Sequence, residues 1–414
     1  MKITCEMHPE GQSDERNAFG CFSCSYPTYV AASGVAMVEV RRAPDAHEIW
    51  RSEDNGRAWS LSERVPNEEA LEDGTWAQWL VGPFYLDPDG GQLLRFEAYS
   101  QHRTQPSLNA GYHDHVKSFM PNTYRLFYRI SRDGGLNWGE QRQLIEDGAE
   151  FDATHWARGV TVGSGAAVAG EVPPYLKRAD GRISIPVQRR SPDNQDAWGA
   201  IQAGRLNGAW IDDGSDLKWR TGGTVHGGGC EQTVAPLRDG RWLNIMRVQG
   251  QIEPYLFDVW QRPYALSEDG GDTWSVPQPL RYDDGGEFTT PRAWSQLIRS
   301  DADGCLYWIA NILPGGDASE EIRREWPSRA DPRYPLSIAR IDEAALTVVR
   351  DSVTTIVDRE PGESKYVRFS NFFAYNDRET GEIALLLMKA YHEDQPDQPN
   401  MPHPAWRFRL APQA

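Results

Sequence analysis

The sequence predicts an all-β protein built from many short strands, and three observations support this prediction. Glycine (38 residues) and proline (28 residues) are spread along the 414-residue chain instead of being gathered in a linker. Long helical patterns are scarce, and only the charged stretch after Glu320 is expected to hold a short helix. Short β-prone segments recur between turn signals. Examples are Leu126–Ile130, Arg182–Val187, Trp242–Arg247, Cys305–Ala310 and Ile383–Met388.

A short motif, Ser-x-Asp-x-Gly-x-x-Trp, repeats along the chain. Complete copies begin at Ser52, Ser131 and Ser267, and a copy that begins at Ser191 has Gln195 in the glycine position. In such a motif Asp accepts hydrogen bonds from backbone N–H groups of a hairpin turn, and Gly takes a positive φ. The Trp then packs back over the turn. We therefore interpret these motifs as markers of the fold and not as substrate contacts.

The spacing of the motif predicts the architecture. Successive copies are 79, 60 and 76 residues apart. A repeat of about 70 residues with four strands is typical of a blade of a β-propeller, and about six such repeats would use the whole chain. We predict one domain spanning residues 1–414, a six-bladed β-propeller of four-stranded antiparallel blades.

Composition argues against several classes of partner. The chain has 60 acidic and 43 basic residues, a net charge of −17, which repels nucleic-acid phosphates and anionic lipids. It has no apolar run long enough for a transmembrane helix, and residues 1–6 lack the apolar region of a secretory signal. Five cysteines do not describe a disulfide scaffold. We expect no nucleic-acid or membrane partner and a cytoplasmic location.

No cofactor is predicted. The glycines of residues 222–229 precede a predicted strand and not a helix, unlike those of nucleotide-binding loops. Cys5-x-x-His8 and Cys21-x-x-Cys24 have the ligand types and pair spacing of a structural zinc site. Pairs of this kind also arise by chance, so we predict no metal.

One hairpin brings a carboxylate and a guanidinium together. A turn at Arg238–Gly240 pairs residues whose numbers sum to about 478, which sets Glu231 opposite Arg247 at one end of a two-stranded ladder. The pair is either a structural salt bridge or a tuned base beside a cation in a functional site. We favour the functional site.

The motif repeats and the segment Gly229–Arg247 resemble the sialidase (neuraminidase) superfamily and its BNR-repeat relatives. The resemblance implies a six-bladed propeller with a site at the centre of one face. Sialidases hold there three arginines on the substrate carboxylate, a Tyr nucleophile paired with a Glu, and an Asp acid/base. It implies that Glu231 activates the nucleophile and that Arg247 binds substrate.

Other site residues follow from the same resemblance. The segment Val38–Asp45 resembles the one in which an arginine precedes the catalytic Asp, which implies that Arg42 contacts substrate and that Asp45 is the acid/base. Arg292 is the candidate for the third arginine, and Tyr366 is the candidate for the nucleophile.

The sequence departs from the sialidase pattern at the first arginine. That position, two residues before Pro27, holds Ser25. The loss of a bidentate clamp on a carboxylate argues against sialic acid cleavage itself. The chain looks more like the wider set of propeller glycosidases and lyases.

Two further stretches carry candidate residues. His155 and Arg158 follow the second motif and are expected to line a sugar subsite, although packing between blades is the alternative. A polar stretch over residues 100–122 is either a site wall or a plain loop with incidental histidines. Its candidates are His102, Tyr112, His113 and His115.

Three functions remain open on these grounds. The first is an exo-acting glycoside hydrolase that removes a terminal anionic or deoxy sugar from an oligosaccharide or glycoconjugate. The second is a lyase that abstracts a proton beside a uronate, with His113, His115, His155 or Tyr366 as its base. The third is a propeller that binds glycans without catalysis. We favour the hydrolase, because of Asp45 and Glu231.

Overall fold

The computed structural model describes most of the chain as two compact units. The described residues are 1–13, 26–43, 45–106, 118–120, 122–165, 167–170, 173–190, 201–211, 213–227, 229–248, 257, 260–315, 317–326, 331–391 and 403–412. Unit A comprises residues 25–225 and 267–274, and unit B comprises residues 1–24, 226–266 and 275–414. Strand β1 (Lys2–Ser13) opens the chain in unit B.

Unit A contains three antiparallel sheets in which most neighbouring strands follow one another in the chain. The first sheet contains β2 (Thr28–Tyr29), β3 (Met37–Arg42), β4 (Ala46–Ser52) and β5 (Ser60–Pro66). The second contains β6 (Glu68–Ala70), β7 (Trp76–Leu86), β8 (Leu93–His102), β9 (Arg125–Ser131) and β10 (Arg142–Gln143). A hairpin of β11 (Val160–Thr161) and β12 (Ser164–Gly165) precedes the third. The third contains β13 (Ala167–Gly170), β14 (Leu176–Lys177), β15 (Ile183–Arg190), β16 (Ile201–Trp210) and β17 (Leu217–Thr224).

Unit B also contains three such sheets. The first contains β18 (Cys230–Pro236), β19 (Trp242–Arg247), β20 (Pro263–Ser267) and β21 (Gln278–Pro279). The short strands β22 (Phe288–Thr289) and β25 (Leu313–Pro314) pair with each other in a separate two-stranded sheet. Helix α1 (Asp317–Glu325) follows β25 in the chain. The second sheet contains β23 (Gln296–Arg299), β24 (Leu306–Asn311), β26 (Leu336–Asp342), β27 (Thr347–Val348) and β28 (Thr354–Val357), with a 3₁₀ turn at Arg350–Ser352. The third contains β29 (Val367–Asn376), β30 (Ile383–Tyr391), β31 (His403–Ala411) and β1, so the first strand of the chain completes the last sheet.

The prediction of a nearly all-β fold with one short helix after the middle of the chain is confirmed. Each of the five predicted strand segments coincides with a strand, although Arg182 and Cys305 lie one residue before theirs, and α1 covers the charged stretch around Glu320. The six sheets are the blades of a six-bladed β-propeller. Among the described residues, no helix is long and apolar enough to cross a membrane. The assignment of residues 1–414 to one domain stays a prediction.

Packing between neighbouring blades explains why the middle strands are apolar. Every residue of β24 is buried, because a sheet covered on both faces needs apolar side chains on both. Trp308 of β24 packs in a cluster with residues of the preceding blade, including Leu243 and Ile245. In unit A, Trp219 and Trp156 take the same part between the second and third sheets.

The three complete Ser-x-Asp-x-Gly-x-x-Trp motifs form the turns predicted for them. They connect β4 to β5, β9 to β10 and β20 to β21, which are the last two strands of each sheet. In each, the Ser hydroxyl accepts a hydrogen bond from the glycine N–H at 2.7–2.9 Å. The Asp carboxylate accepts one from the N–H four residues later at 2.8–2.9 Å. The glycines have φ between 76° and 92°. The copy that begins at Ser191 lies outside the described residues.

Candidate active site

The candidate site residues lie at one particular edge of their sheets. In an antiparallel blade the first strand starts and the second strand ends at the same edge. In the two sheets that carry the candidate residues, the Ser-x-Asp-x-Gly-x-x-Trp turns connect the third strand to the fourth (β4 to β5 and β20 to β21) and therefore lie at the opposite edge. Glu231 is the second residue of β18 and Arg247 ends β19, while Asp45 lies in the turn between β3 and β4. The fold markers and the candidate catalytic groups are thus separated within each blade.

Glu231 and Arg247 form the predicted ion pair. Arg247 Nη1 lies 2.7 Å from Glu231 Oε1, and the two side chains are only 16% and 15% exposed. The predicted register holds for Thr233–Ile245 and Val234–Asn244 but is wrong at the end of the ladder, where Cys230 is the residue opposite Arg247. A bulge between Cys230 and Thr233 causes the shift.

The bulge gives Glu231 an unusual backbone conformation. Its φ is 43°, in the left-handed region that residues other than glycine rarely adopt. Such a conformation persists only where the surrounding structure imposes it, and it occurs preferentially at functional sites. The Glu231 carboxylate contacts Arg247 although the two residues are not opposite each other in the ladder.

A third charged group, Arg262, interacts electrostatically with both residues of this pair and was missed by sequence reasoning. It stands just before β20 and is 1% exposed. Its Nε donates to Thr290 Oγ1 at 3.1 Å, and its Nη2 donates to the carbonyls of Pro291, at 3.1 Å, and Ala293. Burial lowers the pKa of Arg262 to about 9, with a further lowering by the positive charge of Arg247.

Arg292 lies in the segment that Arg262 holds. Arg333 donates to the backbone carbonyl of Arg292 at 3.2 Å and to Ser370 Oγ at 3.0 Å. The segment is thus held from two sides by buried or half-buried guanidiniums. The side chain of Arg292 is half-buried. Arg292 and Arg262 therefore belong to one hydrogen-bond network, in which Arg292 takes part through its backbone.

A buried ion pair at the start of β29 was also missed by the sequence analysis. Arg368 donates through Nε and Nη2 to the two carboxylate oxygens of Asp331, each at 2.8 Å. The side chains are 8% and 1% exposed. Arg333 pairs with Arg368 in a parallel bridge, so this ion pair is joined to the Arg292 segment.

Tyr366 directly precedes β29 and packs beside the same edge. Its ring lies edge-on to Trp326, with centroids 5.3 Å apart. It belongs to an apolar cluster with Val248 and Trp260. Val248 follows Arg247 in the chain, so this apolar cluster adjoins the end of β19.

Together, these contacts define a cationic cluster at one edge of unit B. Its arginines are Arg247, Arg262, Arg292, Arg333 and Arg368, and its carboxylates are Glu231 and Asp331. Positive charge exceeds negative charge within this set, in a protein whose net charge is −17. Such an arrangement is suited to an anionic group, because guanidiniums bind carboxylates with directed, charge-assisted hydrogen bonds.

In unit A, Asp45 has a very different environment. Its side chain is 73% exposed, and its Oδ1 lies 2.5 Å from Nη2 of Arg64, which is 50% exposed. The side chain of Arg42 lies outside the described residues. The neighbouring Arg41 pairs with the fully buried Glu39 at 2.5 Å. Burial lowers the pKa of Arg41 to about 10.

His155 and Arg158 lie on an exposed loop of unit A. His155 Nδ1 is 3.5 Å from an oxygen of Asp152. The backbone N–H of Arg158 donates to Glu146, and its carbonyl accepts a bond from Arg189. Both side chains are exposed, which excludes the alternative of packing between blades. Whether they bind substrate stays a prediction.

The polar stretch after residue 100 begins later than expected. His102 is the last residue of β8 and is fully buried, with Ser100 Oγ at 3.2 Å and Ser118 Oγ at 2.9 Å from its ring nitrogens. It is therefore an internal residue of the sheet and not part of a loop. Tyr112, His113 and His115 lie outside the described residues.

The cysteines of the possible zinc site cannot be placed among the described side chains. The side chains of Cys5, His8, Cys21 and Cys24 all lie outside the described ones, and so does the side chain of Ser25. Within the described part of the chain, no group of three or more His, Cys, Asp or Glu residues is arranged to hold a metal ion.

Comparison with known proteins supports the fold. No family model matches the sequence, and no curated protein matches it. Solved structures do match. The Hadza microbial sialidase Hz136 has a TM-score of 0.55 at 14% identity, over 94% of this chain and 65% of its own. A K499G mutant of the NanB sialidase from Streptococcus pneumoniae has a TM-score of 0.60 at 10% identity, over 98% of this chain and 70% of its own.

A third match is not a sialidase. The GH93 alpha-L-arabinofuranosidase of Fusarium graminearum, solved with arabinobiose, has a TM-score of 0.51 at 13% identity, over 99% of this chain and 97% of its own. The fold of the chain is therefore that of the sialidase-like propellers, as the sequence predicted. At these identities the matches establish the fold alone, since this architecture carries several different activities.

Proposed function

We propose that the protein is an exo-acting glycoside hydrolase that removes a terminal sugar, anionic or deoxy, from an oligosaccharide or glycoconjugate. The observation that carries the proposal is the Glu231–Arg247 pair. It is half-buried, strained at Glu231 and surrounded by further arginines. Strain, burial and excess positive charge in one place are the features of a site that binds and converts a substrate.

The arginines supply the binding part of the reaction. Arg247 and Arg292 hold the anionic group or the hydroxyls of the terminal sugar. A guanidinium is well suited to this, because it donates two parallel hydrogen bonds to a carboxylate. The half-buried position of Arg247 strengthens such bonds relative to the same contact in water.

Glu231 and Tyr366 supply the chemistry. Glu231 accepts a proton from the attacking group, which is either the phenol of Tyr366 or a water molecule. Attack on the anomeric carbon breaks the bond to the leaving oxygen, and that oxygen takes up a proton from an acid. The resemblance assigns this last role to Asp45, whose side chain is exposed. Where Tyr366 attacks, the sugar is bonded to its oxygen, and a water molecule then displaces Tyr366 from the anomeric carbon and releases the sugar. In this second step the acid, now a base, takes a proton from the water, and Glu231 returns its proton to Tyr366.

Other evidence supports a glycosidase without deciding the sugar. The matching structures are named as sialidases and an arabinofuranosidase, which act on different sugars. The absence of the first sialidase arginine, with Ser25 in its place, favours a substrate other than a sialoside. The partner we propose is therefore a glycan whose terminal sugar carries a charge or lacks a hydroxyl.

Product analysis tests the proposal. The protein is incubated with oligosaccharides capped by sialic acid, uronic acids or rhamnose, and products are followed by mass spectrometry and ultraviolet absorbance. Release of the terminal sugar with gain of one water supports hydrolysis, and Glu231→Gln should abolish it. An unsaturated, absorbing product without added water would replace the proposal with a lyase that uses Tyr366 or a histidine as base. Binding without any product would indicate a glycan-binding propeller.

A further inference from the structure

The end of helix α1 contacts the segment that carries Tyr366. The helix lies in the connection between β25 and β26, and Tyr366 directly precedes β29. Two successive residues on one side contact two successive residues on the other: Glu325 pairs with Lys365, and Trp326 packs against Tyr366. Glu325 and Lys365 are 40 residues apart in the chain. Two adjacent contacts fix both the distance and the orientation of these segments.

Trp326 is the buried member of this arrangement. It is 5% exposed, and its backbone N–H donates to the carbonyl of Ile322 at 2.9 Å, which continues the last turn of α1. Its indole belongs to an apolar cluster with the buried residues Val248, Trp260 and Leu313. A closely packed interior leaves a large ring little room to move. The indole is therefore a fixed surface beside the segment before β29.

Tyr366 is only half-buried, and its ring rests on that surface. The two ring planes are nearly perpendicular, at 87°, with centroids 5.3 Å apart, a geometry that aromatic pairs favour. Lys365 Nζ lies 4.9 Å from the centroid of the Trp326 ring and 5.4 Å from that of the Tyr366 ring. The same ammonium lies 3.4 Å from Glu325 Oε1. The backbone N–H of Tyr366 donates to Ser364 Oγ at 3.2 Å.

We propose that Trp326 is a positioning residue for Tyr366: its buried indole braces the tyrosine ring in one orientation, from which the phenol attacks the anomeric carbon. The inference rests on the form of the proposed function in which Tyr366 is the attacking group. A nucleophile reacts from a narrow range of positions, and a displacement of about 1 Å can lower the rate about 10²-fold. Trp326 acts through Tyr366 and does not touch the substrate.

Two substitutions separate the aromatic contact from the filling of space. Trp326→Phe keeps a ring that can pack against Tyr366, whereas Trp326→Leu keeps an apolar side chain without a ring. The matched control is Trp308→Leu in the same unit. Trp308 is also fully buried and packs against an aromatic ring, that of Phe288, with centroids 5.6 Å apart. It belongs to a different apolar cluster from Trp326.

The first readout is the environment of the Tyr366 ring, measured without substrate. Protein carrying tyrosine labelled with ¹³C in the ring is studied by NMR, and the Tyr366 signal is assigned as the one lost in Tyr366→Phe. A neighbouring indole displaces the resonances of a ring that it holds. In Trp326→Leu the Tyr366 signal should move most of the way to the position of tyrosine in an unfolded chain. It should move little in Trp326→Phe and not at all in Trp308→Leu. Circular dichroism verifies that each variant is folded.

The second readout is the division of the kinetic effect between kcat and KM on a substrate found by product analysis. Trp326→Leu should lower kcat by about 10²-fold and leave KM within about twofold of the wild-type value. Trp326→Phe should restore most of kcat, and Trp308→Leu should keep the wild-type kcat. A purely structural role would not produce this result, because a destabilised variant that is still folded at the assay temperature keeps its kcat.

Other outcomes overturn the proposal. An unshifted Tyr366 signal in folded Trp326→Leu would show that Trp326 only fills space. An equal shift in Trp308→Leu would indicate general loosening of the unit. If Trp326→Leu does not fold, Trp326→Met takes its place in both measurements, because methionine fills irregular gaps without a ring.

The two readouts also separate this proposal from the proposed function. A shifted Tyr366 signal together with a wild-type kcat in Trp326→Leu would exclude Tyr366 as the attacking group and would leave a hydrolase in which water attacks. A shifted signal in a protein that turns over no substrate would leave the bracing of Tyr366 standing and count against the glycosidase.

Discussion

The carboxylates of this protein fall into two regions with contrasting surroundings. Glu231 and Asp331 lie among arginines at one edge of unit B, with side chains 16% and 1% exposed. Asp45 and Asp133 lie in exposed turns of unit A, where their ion pair and hydrogen bonds are open to solvent. Each accepts hydrogen bonds, so the number of partners does not separate the two groups. The solvent around them does.

This difference decides what each carboxylate can do. An ion pair in water is screened and contributes little, whereas a buried one is costly to form and much costlier to break. The exposed turns therefore shape the chain locally. In the buried cluster the charges interact strongly with one another, as charged groups in binding and catalytic sites do. The four predictions below test this division, from the largest expected effect to the smallest.

The largest effect is expected on catalysis. Glu231→Gln keeps the size of the side chain but removes the base, and it should lower kcat/KM by about 10³-fold. Asp45→Asn should lower it by about 10²-fold, through kcat, if its role as acid holds. Steady-state kinetics on the substrate found by product analysis measures both. Asp73→Asn is the control, an exposed turn residue of unit A bonded to Thr75. A larger loss of kcat/KM in Asp45→Asn than in Glu231→Gln would contradict the contrast between the buried and the exposed carboxylates.

Burial should also separate two ion pairs of the same geometry. Arg368 donates two hydrogen bonds to the Asp331 carboxylate inside unit B. Arg350 donates two hydrogen bonds to the Asp284 carboxylate at the surface. Asp331→Ala leaves a buried guanidinium unpaired and should lower the free energy of unfolding by about 3–5 kcal/mol. Asp284→Ala should leave it unchanged within error. Urea denaturation followed by fluorescence compares the two, and equal losses would contradict the prediction.

A third effect concerns substrate binding. Arg247→Lys keeps the charge but cannot donate two parallel bonds, so KM should rise about tenfold with a smaller change in kcat. Arg299→Lys is the matched control, because Arg299 also makes two bonds to a carboxylate, that of Glu343, at 2.8 Å. Its KM should stay at the wild-type value. An increase in KM for both variants would mean that the effect is structural.

The smallest effect is expected at the turns. Hydrogen bonds from Asn137 and Ser131 lower the pKa of Asp133 to about 2, below the value of an unfolded chain. The ionised carboxylate therefore stabilises the fold above pH 4, and this contribution is lost as the pH falls toward 2. The melting temperature of Asp133→Ala should lie below that of wild type at pH 7 and approach it near pH 2. A constant difference across this range would refute the assignment.

Much of the fold could be predicted because its signals are local. The Ser-x-Asp-x-Gly-x-x-Trp turns depend on hydrogen bonds within a few residues, so the motif starting at Ser131 already contains every group its turn needs. The number of blades follows from the spacing of such turns. Part of the site was predictable on the same basis, since Glu231 and Arg247 share one hairpin.

Other parts of the site carry no local signal. Arg262 and the segment 290–293 are separated by about 30 residues of chain and belong to different blades. Asp331 and Arg368 are likewise brought together only by the packing of one sheet on the next. The bulge that sets Cys230 and not Glu231 opposite Arg247 could not be inferred from a residue count, because one extra residue in a strand leaves the pattern of residue types intact.

The sequence by itself determined the turns, the strands between them and therefore the propeller, because these depend on backbone hydrogen bonds and apolar patterns over short stretches. Only the tertiary structure decided which charges are buried. It left Asp45 in solvent, and it buried Arg262. The reason is physical: the energy of a charge depends on the dielectric surroundings that distant segments create, and no residue's type or neighbours in the chain contain that information.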